Sequence, residues 1–249
     1  MEFTELLRLI DDRSEAFRRA VASAPDLDVQ VPSCPEWTLF DLAQHIGAGR
    51  RSWAATVLAG PDATAKSPET ETAPREREAL QVWLADSTQQ LVDALRDAGP
   101  DRGCWSWWAG SQSPLTCHAV ARHQLQQYAV HAYDAQLTVG TPEPLPAGIA
   151  LDGVEEFLHT CCTTTSPWPH APATVDYHAA EGRSWRQELS PTGSRVYRLD
   201  PAAAPGTMSV RASASDLVFL LYGRISPGDL EITGDRGVLD RLDAWDFSA

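Results

Sequence analysis

Residues 31–45 read Val-Pro-Ser-Cys-Pro-Glu-Trp-Thr-Leu-Phe-Asp-Leu-Ala-Gln-His, and this stretch predicts where a helix begins. Thr38 suits the N-cap, because its hydroxyl can accept a hydrogen bond from a backbone N–H of the first turn. Asp41, three residues later, completes a pattern similar to a capping box. His45 shares one face of this predicted helix with Leu42, Ile46, Gly49 and Trp53.

A second segment carries the spacing His123-x3-Gln127-x3-His131 on a later predicted helix. Residues four apart on a helix lie one above the other, about 6 Å apart, so Gln127 and His131 can point at a common centre. A third ligand from a facing helix, such as His45, would complete a metal site. Imidazole and oxygen ligands suit a zinc-like divalent ion that keeps positions open for water or substrate. On spacing alone, hydrogen-bonded core histidines are the alternative interpretation.

The composition excludes several classes of partner. The chain has 249 residues, 43% of them hydrophobic, and a formal net charge of −14, so it can bury a core but should repel nucleic acid and anionic lipid. The first residues enter an amphipathic helix directly and no apolar run approaches 18 residues, which predicts a cytoplasmic protein without a membrane partner. Five cysteines without finger or ribbon spacing argue against a disulfide or zinc-cluster framework. Cys161 and Cys162 are interpreted as small buried residues, with a redox-active pair as the alternative.

The first part of the chain is predicted to be four helices joined by loops. Apolar periodicity and breaker residues place them at 4–23, from Thr38 onward, from Pro74 to Gly99, and at about 115–139. Four helices with one apolar side each form a bundle, and bundle interiors commonly hold metals between facing helices. We therefore expect a metal-binding bundle over residues 1–146.

After a proline-rich linker the pattern changes to short strands. A connecting helix is predicted over 148–162, and strands are predicted at 174–178, 184–189, 195–199, 207–211 and 229–233. Ser213 or Ser215 can cap a helix through 217–222, and Asp235 can start a last one. The fold class is therefore α+β, with a small α+β domain predicted over residues 147–249.

Three motifs carry a resemblance to a known family. The Cys34-Pro-Glu-Trp-Thr helix start, with His45 further along, resembles the Cys-Pro-x-Trp-Thr signature of the mycothiol-dependent maleylpyruvate isomerase family. Residues 127–135, Gln-Tyr-Ala-Val-His-Ala-Tyr-Asp-Ala, resemble its second signature, Glu-x-x-x-His-Arg-Trp-Asp-Ala. Residues 215–224 and 230–235 are similar to the pattern of its second domain. The motifs lie in the expected order across nearly the whole chain.

The resemblance implies a DinB-like four-helix bundle that binds a divalent metal, usually zinc, followed by a domain similar to sterol carrier proteins. Family members use a metal-bound low-molecular-weight thiol, which is mycothiol in actinobacteria. Carried over to this chain, the metal ligands are His45, Gln127 and His131, with Asp134 as a candidate partner for the ring of His131. The family usually has Glu where this chain has Gln127. A neutral amide oxygen should weaken metal binding, while any bound metal would acidify a coordinated thiol more strongly.

An acidic protein that acts on an anionic substrate must recognise it with local arginines. Arg224, after an apolar helix, is the first candidate, since the resemblance implies a basic residue reaching the pocket from the second domain. Arg75, Trp108 and His123 are predicted to contact the thiol cofactor. Their alternatives are a solvated surface for Arg75 and core packing for Trp108, whereas His123, about 80° round the helix from His131, can line the pocket or replace a ligand.

The predicted function is a metal- and mycothiol-dependent isomerase or thiol S-transferase that acts on a small electrophilic, anionic substrate. The protein is expected to be a monomer or a homodimer. Two alternatives stay open from the sequence. One is a catalytically inactive binding or regulatory module that lost activity with the change to Gln127, and the other is a metal-dependent hydrolase that uses activated water.

Overall fold

The computed structural model describes residues 1–68 and 71–245, and these divide into two compact units. The first unit comprises residues 1–107 and 115–144, and the second comprises residues 108–114 and the chain from Leu145 onward. The predicted fold class is confirmed, because the N-terminal part is helical and the C-terminal part contains a sheet with helices. Within the described ranges, no helix combines the length and apolar character that a membrane span requires.

Four long helices make up most of the first unit, close to where their apolar periodicity predicts them. They are α1 (Phe3–Ser23), α2 (Leu39–Ala59), α3 (Arg77–Ala98) and α4 (Cys117–Thr138). Helix α1 packs against α3 and α4, and α2 also packs against α3 and α4. The core between them is apolar, and its fully buried side chains include Leu6, Ile10, Phe17, Leu42, Leu84 and Leu91.

The start of α2 is held by the predicted capping box. The Asp41 backbone N–H donates to Thr38 Oγ1 at 3.1 Å, and the Thr38 backbone N–H donates to Asp41 Oδ2 at 2.9 Å. The hydrogen bond from the Thr38 hydroxyl is the main reason that the pKa of Asp41 lies below its ordinary value. These bonds fix the first turn of α2 and hence the direction in which the His45 side chain projects from the helix.

A short hairpin precedes α2, where only loops were expected from the sequence. Strands β1 (Gln30–Val31) and β2 (Cys34–Thr38) pair antiparallel, with Pro32 and Ser33 in the turn. The pattern rules for strands require an alternation over about four to eight residues, and β1 is too short to show one. The hairpin packs near α4 and α2, so its turn brings Ser33 close to the helix that carries His131.

Up to residue 245, the second unit contains a five-stranded sheet and three α-helices. Its strands are β3 (Ala173–Ala179), β4 (Ser184–Ser190), β5 (Gly193–Arg198), β6 (Met208–Ala212) and β7 (Glu231–Gly234), in the order β5-β4-β3-β6-β7. The β3–β6 pair is parallel and the other pairs are antiparallel. The helices are α5 (Ala147–Cys161), α6 (Ala214–Leu221) and α7 (Gly237–Asp243).

The strands of this sheet alternate between a buried face and a polar one, as their period of two requires. Val175, Tyr177 and Trp185 are buried on the inner face. On the opposite face Arg186 makes a two-bonded ion pair with Asp176, at 2.6 and 2.7 Å. Ser213, one of the two predicted caps, accepts a hydrogen bond from the Asp216 backbone N–H and starts α6.

Candidate metal site

Two imidazoles meet in the bundle. His45, half-buried on α2, and His131, 8% exposed on α4, have ring centres 5.4 Å apart and ring planes at 77°. Two imidazoles on one tetrahedral zinc ion, each with a Zn–N bond of about 2.0 to 2.1 Å, have ring centres about 5 Å apart. The observed separation of the two ring centres is close to this value.

A hydrogen-bond chain holds the His131 ring in position. Its Nδ1 lies 2.8 Å from Oδ2 of Asp134, a carboxylate with no exposed surface. The other oxygen of Asp134 accepts a hydrogen bond of 2.6 Å from the Ser33 hydroxyl in the hairpin turn. Because a carboxylate can only accept, Nδ1 of His131 carries a proton, and in a neutral ring Nε2 is then the nitrogen that can coordinate a metal.

The tryptophan of the Cys-Pro-x-Trp-Thr motif covers the two imidazoles. The half-buried ring of Trp37 in β2 lies 4.8 Å from the His45 ring and 6.5 Å from the His131 ring, measured between ring centres. An apolar ring against the imidazoles lowers the local dielectric constant and strengthens their interaction with a cation. The motif thus supplies both the cap of α2 and one wall of the site.

The third predicted ligand, Gln127, lies one helical turn before His131 on α4 and is partly exposed. Over residues 1–68 and 71–245, no group of three or more His, Cys, Asp and Glu side chains is placed to hold a metal ion. A metal bound by His45 and His131 would therefore need a neutral oxygen, such as the amide of Gln127, as its third protein ligand. The donor set of two imidazoles and one amide is chemically suited to zinc but carries no negative charge.

His123 lies among aromatic rings. Its ring, on a residue that is 6% exposed, is 5.8 Å from Trp107 and 6.3 Å from Trp53, and both contacts are edge-on. Trp53 in turn lies 6.4 Å from Trp105. Within the first unit, the histidine thus belongs to a cluster of tryptophan rings.

The remaining predicted site residues are Arg75 in the first unit and Trp108 and Arg224 in the second unit. Arg75 is an exposed side chain that donates to Asp28 at 3.0 Å and stacks over Phe40. Trp108 belongs to the second unit, is 2% exposed, and donates from its indole nitrogen to the carbonyl of Pro114. Arg224, also in the second unit, donates from Nη1 to the carbonyl of Tyr222 at 2.7 Å, just after α6.

A buried polar network in the same bundle was missed from the sequence. Arg50, 3% exposed, donates to Gln124 Oε1 at 2.6 Å, and its guanidinium carbon lies 4.2 Å from the ring centre of Tyr128. The Tyr128 hydroxyl is hydrogen-bonded to Thr88, which is also bonded to Ser14 at 2.7 Å. The one available signal was Arg50 at a core position of α2, four residues after Ile46, and arginine is normally assigned to the surface.

Comparison with known proteins gives matches over both units. The family model described as mycothiol maleylpyruvate isomerase N-terminal domain matches residues 7–136, and the model described as MDMPI C-terminal domain matches residues 148–241. Two similar solved structures are the mycothiol-dependent maleylpyruvate isomerase and a histidine-to-alanine mutant of it. Each is 14% identical and covers 94% of this chain and 93% of its own, with TM-scores of 0.57 and 0.58 respectively. A search of curated protein sequences gives no match.

Proposed function

Because the chain belongs to the mycothiol maleylpyruvate isomerase family, we propose that it is a metal-dependent, mycothiol-using isomerase or thiol S-transferase. Its substrate would be a small electrophilic anion. The observation that carries the proposal is the His45–His131 pair, with ring centres 5.4 Å apart and with Asp134 bonded to Nδ1 of His131. The buried Asp134 carboxylate bonded to Nδ1 orients the His131 ring as a metal ligand requires.

In this proposal His45, His131 and Gln127 hold the divalent metal, most favourably zinc. When bound, such a cation lowers the pKa of a coordinated thiol, so that the nucleophilic thiolate is present at neutral pH. Asp134 keeps His131 in the tautomer that can coordinate, and Ser33 orients Asp134. The Trp37 ring lies against both imidazoles and would shield them in part from water.

Arg224 is proposed to bind a carboxylate of the substrate. A guanidinium can bind a carboxylate through two parallel hydrogen bonds, which fixes its orientation as well as its position. The bond from Nη1 to the Tyr222 carbonyl orients this side chain within the second unit. Replacing Arg224 by Lys would keep the charge and lose the paired geometry, so KM should rise more than kcat falls.

The experiment that tests this function measures metal and thiol binding together. Protein purified without chelators and supplemented with zinc should contain about one metal ion per chain, and calorimetry should detect mycothiol binding only with metal present. His45→Ala and His131→Ala should each lose the metal. His178→Ala, which removes a histidine from the sheet of the second unit, is the matched control and should keep it. A protein that takes up no metal and has no affinity for the thiol would overturn the proposal.

A second candidate is a binding module without catalytic activity, favoured by the neutral Gln127 and by the lack of a three-ligand His, Cys, Asp or Glu group in the described residues. Gln127→Glu separates the two. If the metal site is functional, the added carboxylate should tighten zinc binding by about tenfold or more, which corresponds to about 1.4 kcal/mol. If the chain no longer binds metal, the substitution should leave zinc content unchanged.

A further inference from the structure

A cavity of about 320 Å³ lies inside the second unit, between the inner face of the sheet and the helices. Residues of α5, α6 and α7 form its wall, and residues of β3 and β4 form its floor. Six large apolar side chains line it and are only partly buried: Phe157, Leu220, Leu221, Ile225, Leu239 and Leu242. Small-molecule sites are typically concave, mostly apolar and about 300 to 1,000 Å³ in volume, so this cavity has the size and the lining of a site for a small ligand.

The polar groups on the floor of the cavity are bonded within the protein. The Tyr177 hydroxyl donates to Gln187 Oε1 at 3.2 Å, and Gln187 Nε2 donates to the Cys162 carbonyl at 3.1 Å. Both side chains are almost completely buried, at 3% and 2% exposure. A ligand therefore does not have to supply hydrogen-bond partners to this floor, and an apolar group can lie against it.

The two thiols that line the cavity carry no charge at neutral pH. Burial raises the pKa of Cys162 to about 12 and raises the pKa of its neighbour Cys161 as well. The negative charge of Glu156, a residue that is 2% exposed, acts on both thiols in the same direction. A carboxylate thus lies close to this side of the cavity, behind its neutral lining.

Asp243, at the end of α7, is the one charged side chain among the described residues that line the cavity. Burial is the main reason that the pKa of Tyr177 lies above its ordinary value, and the charge of Asp243 adds to this effect. The Asp243 carboxylate is thus close enough to the floor to act on it. Arg224 and Arg236 adjoin lining residues, but both donate to backbone carbonyls. The charge that a ligand meets in this cavity is therefore negative.

We propose that this cavity binds a small organic cation, an amine with a compact apolar body such as an aryl or a branched alkyl group. The apolar body lies among the leucines of α6 and α7 and against Phe157, and the ammonium group faces Asp243. An anion of the same shape would bring its charge towards Asp243 and Glu156, and no lining cation would balance it. The site lies within the second unit and does not depend on metal or mycothiol binding.

Three probes of nearly equal size and different charge test the proposal. They are phenethylamine, which is a cation at neutral pH, phenethyl alcohol, which is neutral, and hydrocinnamate, which is an anion. Each is titrated calorimetrically into the full-length chain at neutral pH, with a chelator present so that the amine does not coordinate a metal ion. We expect phenethylamine to bind about tenfold more tightly than hydrocinnamate, with phenethyl alcohol between them.

Two pairs of variants locate the site. Asp243→Asn should weaken phenethylamine binding by about three- to tenfold and leave phenethyl alcohol binding unchanged. Asp240→Asn removes the same charge from α7 at a residue that does not line the cavity, so it is the matched control. Leu242→Trp should fill part of the cavity and weaken all three probes. Leu58→Trp adds the same ring at a leucine of the first unit that is 62% exposed, and it should have no effect.

Four outcomes would overturn the proposal. They are no detectable binding of phenethylamine, hydrocinnamate binding that is as tight as phenethylamine binding, equal effects of Asp243→Asn and Asp240→Asn, and unchanged binding in a folded Leu242→Trp. If Leu242→Trp does not fold, the order of the three affinities in the unsubstituted chain and the comparison of the two asparagine variants decide the question.

Discussion

Substitutions of Asp134 test most directly whether its carboxylate holds the His131 ring in the orientation and tautomer that bind a metal. Its carboxylate is fully buried, with Oδ2 2.8 Å from His131 Nδ1 and Oδ1 2.6 Å from the Ser33 hydroxyl. In Asp134→Asn the amide oxygen can still accept from Nδ1, because the Ser33 hydroxyl can rotate and accept from the new amide N–H. The ring tautomer is kept and only the negative charge is lost. Asp134→Ala removes both the hydrogen-bond acceptor that fixes the tautomer and the negative charge.

The expected loss of zinc affinity depends on whether a variant removes only the charge of Asp134 or also its hydrogen-bond acceptor. Loss of a hydrogen-bond partner behind a metal-binding histidine typically weakens metal affinity by about 10- to 100-fold, or about 1.4 to 2.7 kcal/mol. We expect Asp134→Asn to weaken zinc binding by about tenfold, and Asp134→Ala by about 100-fold. Ser33→Ala removes one hydrogen bond to the Asp134 carboxylate and leaves its charge. It should therefore reduce the free energy of zinc binding by about 1 kcal/mol or less.

The assay is competition for zinc against a chelator of known affinity, with the Tm of each metal-free variant recorded alongside. Ser190→Ala is the matched control for Ser33→Ala, since it removes a half-buried hydroxyl from the second unit, at the end of β4. If Asp134→Asn binds zinc within twofold of the unsubstituted chain while Asp134→Ala does not, the charge plays no part. If neither changes affinity, His131 is not a ligand.

Three further outcomes are expected. Thr38→Ala should destabilise the chain by about 1 kcal/mol and lower the Tm by about 2 to 4 °C, as measured by calorimetry. Because the pKa of Asp41 is lowered, its stabilising contribution is present above the ordinary carboxyl pKa of about 4 and is lost as the pH falls through the lowered value; the pH dependence of Tm in acid should therefore be weaker in Thr38→Ala. Tyr128→Phe, which removes the bond to Thr88, should cost about 1 kcal/mol in urea unfolding, and a change below about 0.3 kcal/mol would contradict it.

Much of the fold was predictable because its signals are local. The helix beginning after Thr38 rests on a cap that involves neighbours three residues apart, and both of its bonds are present. The strands of the second unit appear within a few residues of their predicted positions, since alternation and glycine or proline turns bound them. The starts of two strands differ by two residues. Strand β5 begins at Gly193 rather than at residue 195, and β7 begins at Glu231 because Pro227–Asp229 form a turn of 3-10 helix.

The parts that could not be predicted depend on contacts between distant residues. Nothing near Ser33 indicates that its hydroxyl bonds to Asp134, one hundred and one residues later. The burial of Arg50 against Gln124 and Tyr128 likewise depends on how α2 and α4 pack. The position of His123 among Trp53 and Trp107 is of the same kind. Sequence periodicity predicts which side of a helix is buried, but it does not predict which polar residue of another helix makes the hydrogen bond on that side.

The exchange of a carboxylate for Gln127 changes what the rest of the site must do. With two neutral imidazoles and an amide, no protein ligand would cancel any of the cation's charge. Binding of the metal ion would then depend more on charged residues that are hydrogen-bonded to its ligands. Asp134 is such a charge, since it is buried and bonded to His131. The effect of Asp134→Asn should therefore be smaller in a chain that also carries Gln127→Glu, because a directly bound carboxylate then supplies the compensation. Equal losses in the two backgrounds would mean that Asp134 only orients the ring, whereas a reduced loss would identify it as the charge that replaces the missing ligand.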